Sequence, residues 1–455
     1  MLHSEHGATR SLAAWASDLS LPEIPREVEA GATRLFMNIL GCMVAGSRHE
    51  VVDTTVRALE EFFGAPGATL VGTRLRMDAL NAAFLNALAA SAHAFDDTHE
   101  RAIVHPSAPV AAALLSTVER SGFRGAELLA AFVAGVEATN RVACSLSVPP
   151  ARCNLAWMLS GVAGTIGAAV AVSRLLSLDV RETCSAIGLA SSFSSGLRAL
   201  HGTKGIPLTP AQACQAGLKA ALLAKGGIDC ERAGLETEMG LLHTFGSEPD
   251  VGALVDGLGD RYELLNTNIK PYPCGVVIHP VIDACVELHH GKRVRPHAVR
   301  RIWADVHPAA FRLAGNRAVD AYQARTSIPY WMAAVLHRGR ADLEAASAAL
   351  FEDPRIASLQ ALIEVRCAAD VGAESARVVC ELIDGSCIES LVTHAVGSRA
   401  RPMTDLDVRA KFETLCEPVL GTEETRRLLG ACRRMALLDD VSEVLPEGGK
   451  NGPGA

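Results

Sequence analysis

Residues 155–173, LAWMLSGVAGTIGAAVAVS, contain no charged side chain. A run of this length and character is compatible with a membrane-spanning helix. Its small residues Ser160, Gly161, Gly164 and Gly167 recur at a spacing that would let a second helix approach closely. In a chain of 455 residues we therefore interpret the stretch as the buried central helix of a helical core.

The composition predicts a large interior built mainly from helices. Hydrophobic residues make up 49% of the chain and the mean hydropathy is +0.20, yet aromatic residues are only 4%. Alanine and leucine must therefore fill much of the interior, and such interiors suit closely packed helices better than sheets. The length of 455 residues predicts about two domains.

Charge and cysteine usage narrow the classes of function. The net charge of -8 and a pI near 6.0 argue against a nucleic-acid partner, because phosphate binding needs a basic face. No run of lysine and arginine would attract an anionic membrane, and Met1 to Arg10 has no apolar signal region. The 13 cysteines are scattered without a C-x-x-C pair or zinc-ligand spacing. We expect reduced thiols, no bound metal and a cytoplasmic location.

The first part of the chain has mostly helical periodicity. Asp78 is placed to cap one helix, and Ser107 to cap the next, which we expect to close at Gly122. A further helix is predicted over residues 211–223, because Gly226–Gly227 follows it as a stop signal.

In the second part of the chain, strand-like alternation of apolar and polar residues appears beside helical periodicity. Asp384–Gly385 lies between two β-type runs and predicts a hairpin turn. Residues 330–336 have helical periodicity again. The predicted strands are 302–306, 363–365, 378–383 and 387–392.

These patterns predict a mainly α protein with two domains. A large all-helical domain is expected over residues 1–265, completed by about 404–440, and a smaller α+β domain over 266–403. The glycine-rich tail, residues 446–455, is expected to be disordered.

The first candidate site is AFDDT at residues 94–98, followed by His105. Two adjacent carboxylates at a helix C-terminus oppose the helix dipole, which favours cations there. Asp97 could orient a base or hold a hydroxyl, Asp96 or Thr98 could bind substrate, and His105 titrates near neutrality. A helix end that breaks into a solvated loop explains the same residues equally well.

The second candidate site is KPYPC at residues 270–274, followed by His279. Two prolines stiffen the turn that carries Lys270, at the predicted junction of the two domains. Such junctions favour ligand binding, and a lysine there can bind a carboxylate or act as a base. A surface lysine on a linker is the alternative.

Two weaker candidates complete the set. Tyr330 follows Ser327 at a predicted helix start, although structural tyrosines outnumber catalytic ones. The glycine turn HGTKG, residues 201–205, could bind an anion through His201 or Lys204, but it lacks the spacing of a nucleotide-binding loop.

Taken together and in this order, the motifs resemble those of the MmgE/PrpD family, which includes 2-methylcitrate dehydratase, cis-aconitate decarboxylase and iminodisuccinate epimerase. The resemblance extends from about Leu12 to Leu438. The matching pieces are Phe95 to Thr98, His105 to Ser107, Gly161 to Ala169, Lys270 to Cys274, His279–Pro280, Ser327 to Tyr330 and the Asp384–Gly385 hairpin.

The resemblance implies a helical domain and a smaller α+β domain, with an active site in the cleft between them. It also implies a homodimer, a small polycarboxylate substrate, and neither a metal nor an organic cofactor. By position, the residues expected to line the cleft are Asp97, Thr98, His105, Lys270 and Tyr330.

The chain departs from the family pattern at three places. Ala94 stands where relatives have aspartate, and Met158 stands where relatives have a histidine. Residues 205–209, GIPLT, replace a segment that carries a lysine and a histidine in relatives, so Lys204 could substitute only if the turn is rebuilt.

The missing cationic side chains bear on which reaction the site can catalyse. Removal of water or CO2 from a tricarboxylate needs several cations, whereas epimerisation needs one base, one acid and a group that stabilises an enolate. We therefore favour proton abstraction next to a carboxylate by an epimerase that resembles iminodisuccinate epimerase. A dehydratase or decarboxylase is the alternative if Lys204 and His201 fill the emptied positions. A catalytically silent polycarboxylate-binding protein is the third reading.

Overall fold

The charge-free stretch forms a central helix in the computed structural model, which describes residues 7–119, 122–230 and 234–446. Helix α7, Leu159–Leu175, is buried along its length except at Arg174. A Cβ atom at Gly167 would lie 1.8 Å from Thr139 Oγ1 and 2.6 Å from the carbonyl oxygen of Gly135. The glycine is therefore required for close packing of α7 on helix α6, Gly125–Ser147. The predicted buried central helix is confirmed, although it begins at Leu159 and Leu155 is exposed.

Helices dominate the described part of the chain, and most strands are short. In chain order the helices are α1 Ala8–Asp18, α2 Arg26–Gly46, α3 Glu50–Leu59, α4 Ala79–Ala92, α5 Ser107–Val118, α6 Gly125–Ser147, α7 Leu159–Leu175, α8 Val180–Phe193, α9 Leu208–Lys225, α10 Leu241–Phe245, α11 His279–Val286, α12 Pro308–Ala314, α13 Ala321–Ala324, α14 Ile328–Arg338, α15 Ala348–Phe351, α16 Pro354–Ala361, α17 Asp405–Leu420 and α18 Thr422–Arg433. The strands are β1 Ala68–Thr69, β2 Arg76–Met77, β3 Asp97–His99, β4 Arg152–Cys153, β5 Gly246–Glu248, β6 Thr267–Ile269, β7 Val299–Val306, β8 Ile363–Cys367, β9 Ala376–Leu382 and β10 Cys387–Val392.

Two hydrophobic clusters organise these elements. The larger one takes side chains from Leu12 to Ile269 and again from Met403 to Val444, and the smaller one from Cys274 to Val392. Helix α17 returns to the larger cluster, where Phe412 packs against Gly41 of α2. The expected architecture, a large helical unit with a smaller α+β unit, is confirmed.

The smaller unit contains a four-stranded sheet in the order β10–β9–β7–β8. Strand β7 pairs parallel with β8 and antiparallel with β9, and β9 and β10 form the predicted hairpin. Gly385 adopts a φ of 86° in that turn, a conformation that glycine tolerates without a steric penalty. Helix α14 begins after Ser327, whose hydroxyl accepts the backbone N–H of Tyr330 at 3.3 Å.

A short ribbon inside the helical unit was not expected. Strand β3 pairs antiparallel with β6, so that Asp97 lies opposite Ile269 and Thr98 opposite Asn268. This pairing brings the AFDDT motif next to Lys270, although more than 170 residues separate them in sequence.

Three local predictions need comment. Asp78 caps α4 as predicted, by accepting the N–H groups of Leu80 and Asn81. Ser107 does not cap α5: it is the first helical residue, and α5 ends at Val118 rather than at Gly122. The backbone N–H of Ser107 donates to the Asp97 carboxylate at 3.3 Å, so Asp97 satisfies one of the first N–H groups of the helix.

Among the described residues, one helix is long and apolar enough to cross a membrane by length and composition. This is α2, and 72% of its apolar window is buried inside the protein. The predicted tail falls almost entirely outside the described residues, which end at residue 446.

Candidate active site

A pocket lies between the helical unit and the smaller unit, and most of its wall is apolar. Its polar groups come from both units and are mostly cationic or able to carry a proton. Its lining includes Asp96, His105, Met158, Arg198, His201, Ile206, Lys270, Tyr322 and Arg325.

The centre of the pocket is a buried ion pair. Lys270 Nζ lies 2.6 Å from Asp96 Oδ1, and each side chain is only 4% exposed. The ammonium also donates to the carbonyl oxygen of Ala94 at 3.3 Å. Burial acts to raise the pKa of Asp96, but the charge of the Lys270 ammonium outweighs it, so this pKa lies below its ordinary value. The pair therefore supplies a fixed anion and a fixed cation at one point.

His105 presents a neutral ring nitrogen to the pocket. Its Nδ1 donates to the carbonyl oxygen of Asp97 at 2.7 Å and lies 3.0 Å from Thr98 Oγ1. Because a carbonyl can only accept, Nδ1 carries the proton in the neutral ring and Nε2 keeps its lone pair. Burial and the charge of Lys270 lower the pKa of His105 to about 4. The ring is thus a proton acceptor at neutral pH.

Asp97 stands behind this histidine and does not line the pocket, contrary to the expectation from its position. It is fully buried in β3, where its side chain accepts the N–H of Ser107. Burial raises its pKa to about 7. Its visible contribution is to orient His105 through its backbone carbonyl.

Two other predicted site residues lie away from the pocket. The prediction for Tyr330 is wrong because α14 turns the ring into the core of the smaller unit, where its hydroxyl donates to Ala345 O at 2.6 Å. Lys204 could replace the family lysine only if its turn were rebuilt toward the pocket, and the structure does not show this: Lys204 is 61% exposed and bonds Glu50 at 2.9 Å. His201, from the same turn, does line the pocket.

A second, smaller pocket lies on the other side of Lys270. Thr98 and His279 line it, together with Glu100 and Glu374. His279 is 2% exposed, and its Nε2 has no hydrogen-bond partner among the described residues. Thr98 and His279 are thus near Lys270 but not on the main pocket.

Sequence reasoning missed two guanidinium groups. Arg198 precedes the HGTKG turn by three residues, and its Nε donates to Leu155 O at 2.8 Å. Arg325 precedes Ser327 by two residues and stacks over the ring of Tyr322 at 4.7 Å. Both line the main pocket. Their closeness to motifs already singled out was the available signal.

A third cluster resembles a metal site in composition only. His99, Cys144 and Glu263 bring their ligand atoms within 4.8 Å of one another. His99 Nδ1 accepts the N–H of Ala102, so Nε2 carries the proton and donates to Glu263 at 3.2 Å. Asn266 holds the same carboxylate oxygen at 2.7 Å. We interpret the cluster as a hydrogen-bonded structural group.

The main pocket thus combines cations for an anionic ligand with two groups that exchange protons, which is the architecture of an acid–base enzyme site. The chain belongs to the MmgE/PrpD family: the MmgE/PrpD N-terminal domain matches residues 10–253 and the C-terminal domain matches residues 272–435. The resemblance inferred from the motifs is thereby confirmed.

Individual relatives align along nearly the whole chain. The chain is 26% identical to the cis-aconitate decarboxylase-like protein oryM of Aspergillus oryzae over 471 residues, which covers 97% of each chain. It is 23% identical to cis-aconitate decarboxylase of Aspergillus terreus, covering 97% of this chain and 96% of that one. It is 25% identical to cis-aconitate decarboxylase of Homo sapiens, covering 95% and 93%.

Proposed function

We propose that this protein is a lyase that removes one carboxyl group, as CO2, from a small unsaturated polycarboxylate of the cis-aconitate type. The observation that carries the proposal is the convergence of Arg198, Arg325 and Lys270 on the pocket that holds His105. The epimerase was favoured because Met158 and residues 205–209 lack the cationic side chains that relatives have there. Arg198 and Arg325 supply cations to the same pocket. The names of the relatives point to the same reaction class.

The chemistry needs positive charge and one proton per turnover. When the bond from carbon to the leaving carboxylate breaks, CO2 departs and the electron pair enters the adjacent carbon–carbon double bond, which shifts by one position toward the carbon that lost CO2. A proton must then reach the far carbon of the former double bond, which leaves a terminal alkene. In our proposal the Lys270 ammonium, held by Asp96, donates it and is recharged from solvent. Arg198 and Arg325 hold the remaining carboxylates and stabilise the charge that develops on them.

Epimerisation is the second candidate, and one observation favours it. A neutral His105 beside a charged Lys270 is a base and an acid in one pocket. Such a pair could remove a proton from the carbon next to a carboxylate and return one to the other face, with no loss of CO2. Dehydration would use the same pair, with the acid protonating a leaving hydroxyl.

Proton NMR of the purified protein in D2O separates these reactions. The test panel is cis-aconitate, 2-methylcitrate, citrate and iminodisuccinate. We expect cis-aconitate to give new terminal-alkene signals and released CO2. Deuterium that enters next to a carboxylate without release of CO2 would establish the epimerase. An alkene formed from a hydroxy acid without release of CO2 would establish the dehydratase.

Variants and ligand protection complete the test. Lys270→Met should lower turnover by about 10²- to 10⁴-fold, whereas Lys292→Met, a control at a half-exposed lysine of the smaller unit, should leave it unchanged. A polycarboxylate that raises the melting temperature while no panel member reacts would overturn the lyase in favour of a silent binding protein. The cytoplasmic location and the homodimer remain predictions.

A further inference from the structure

A second lysine lies directly behind the catalytic pair. Lys411 of α17 is 8% exposed, and its Nζ donates to the carbonyl oxygen of Phe95 at 2.7 Å and to that of Lys270 at 2.9 Å. The ammonium also sits 3.8 Å from the centre of the Phe95 ring. Its hydrogen-bond acceptors among the described residues are thus two carbonyl groups rather than a carboxylate.

These two carbonyls belong to the two segments that form the ion pair. Phe95 immediately precedes Asp96, and the other carbonyl is that of Lys270 itself. One ammonium therefore ties together the backbones that carry both members of the pair. We propose that Lys411 is a positioning residue that fixes the distance between Asp96 and Lys270 and supplies a charge to their surroundings. This inference rests on the proposed function, because it assigns Lys411 to the same site.

Stability alone does not account for a lysine here. Burial of an ammonium without a carboxylate partner is costly, and carbonyl hydrogen bonds recover only part of that cost. A methionine would fill the same volume without a charge. Buried polar groups of this kind are kept where they orient other residues, as the outer partners of metal ligands do.

The position of Lys411 in the chain has a consequence for the fold. Residue 411 lies on a helix that follows the whole smaller unit, yet packs against α2 of the helical unit. The site is therefore complete only when this C-terminal helix has returned to the helical unit.

The charge of Lys411 should appear in the pH dependence of the reaction. The titratable groups that face it are Cys42 of α2, Asp96 and Asp97 of the AFDDT segment, and Lys270 after β6. Burial lowers the pKa of Lys411 to about 8. Its charge is thus present below that pH and is lost as the pH rises through it, so we expect kcat to fall on the alkaline side.

The test compares three substitutions on one helix. We expect Lys411→Met to lower kcat about 10- to 100-fold, the range for partners that orient a reacting group. The alkaline fall near pH 8 should disappear, and KM should change far less. Lys411→Arg keeps its charge above pH 10, so where it folds it should restore part of kcat with the alkaline fall moved upward. Arg409→Met, at an exposed residue two positions away, is the control and should match the wild type.

Two results would overturn the inference. One is a folded Lys411→Met variant with wild-type kcat and an unchanged pH profile. The other does not depend on the substrate: crystal structures of the wild type and of Lys411→Met in which Asp96 and Lys270 keep the same contact distance. If the wild type itself turns over no polycarboxylate, the proposed function fails, and these structures still decide the role of Lys411. A longer Asp96–Lys270 distance in the variant would support it.

Discussion

Two walls of the pocket differ in how firmly they are built. The ribbon wall, residues 94–105 with 267–270, is mostly buried and cross-linked by the hydrogen bonds of Asp96, His105 and Lys270. The loop wall, residues 198–207, is largely exposed or half-buried. The motifs that carry Asp96, His105 and Lys270 lie on the ribbon wall, whereas the departures at Met158 and residues 205–209 lie on the loop wall or beside it. We therefore expect substitutions in the ribbon wall to change the reaction and substitutions in the loop wall to change which substrate binds.

The largest effect is expected on the ribbon wall, from Lys270→Met. Loss of the proton donor should reduce kcat about 10²- to 10⁴-fold. The change also leaves the buried Asp96 carboxylate unpaired, so the free energy of unfolding should fall by about 3–5 kcal/mol. Steady-state kinetics and urea denaturation measure the two effects separately.

The double variant Lys270→Met/Asp96→Asn sharpens this prediction. Removing both charges should recover much of the lost stability, because no unpaired ion stays buried, while activity stays absent. Recovery of activity in the double variant would show that the pair has a structural role only.

The contrast between the walls also explains what the sequence could predict. Helical periodicity, the Asp384–Gly385 turn and the two proline-bearing motifs identified the architecture and the pair of segments that carry Lys270 and His105. The ion-pair partner of Lys270 could not be predicted from the sequence. Only the pairing of β3 with β6 determines that Asp96, and not Asp97, reaches the lysine. Adjacent residues in a strand point to opposite sides.

Substitutions on the loop wall were harder to interpret from sequence. The loss of a lysine and two histidines was read as a loss of cations, because a list of positions does not show which distant side chains enter the same space. Arg198 and Arg325 enter it from positions just before the HGTKG turn and Ser327, outside the motifs themselves. Lys204 could replace the family lysine only in a rebuilt turn, and the observed turn directs it to Glu50.

A smaller effect is expected on the loop wall, from Arg198→Met. If Arg198 holds a substrate carboxylate, its loss removes one charge-assisted hydrogen bond, about 1.5–3 kcal/mol. kcat/KM for the polycarboxylate should fall about 10- to 100-fold, through a higher KM and, because Arg198 also stabilises the developing charge, a lower kcat. Lys204→Met is the matched control, because its exposed ion pair with Glu50 should contribute almost nothing. If Arg198→Met and Lys204→Met changed the kinetics equally, the proposal that Arg198 binds substrate in the pocket would be contradicted.

The smallest effect on activity is expected from Tyr330→Phe, which lies behind both walls. The hydroxyl donates to Ala345 O in the core of the smaller unit, so the substitution leaves a buried carbonyl without its partner. The free energy of unfolding should fall by about 1–3 kcal/mol while kcat and KM stay within about twofold of the wild type. A loss of kcat as large as that of Lys270→Met, in a variant with wild-type stability, would return Tyr330 to the catalytic group. It would then require the smaller unit to rearrange when substrate binds, since in this conformation the core of that unit separates the hydroxyl from the pocket.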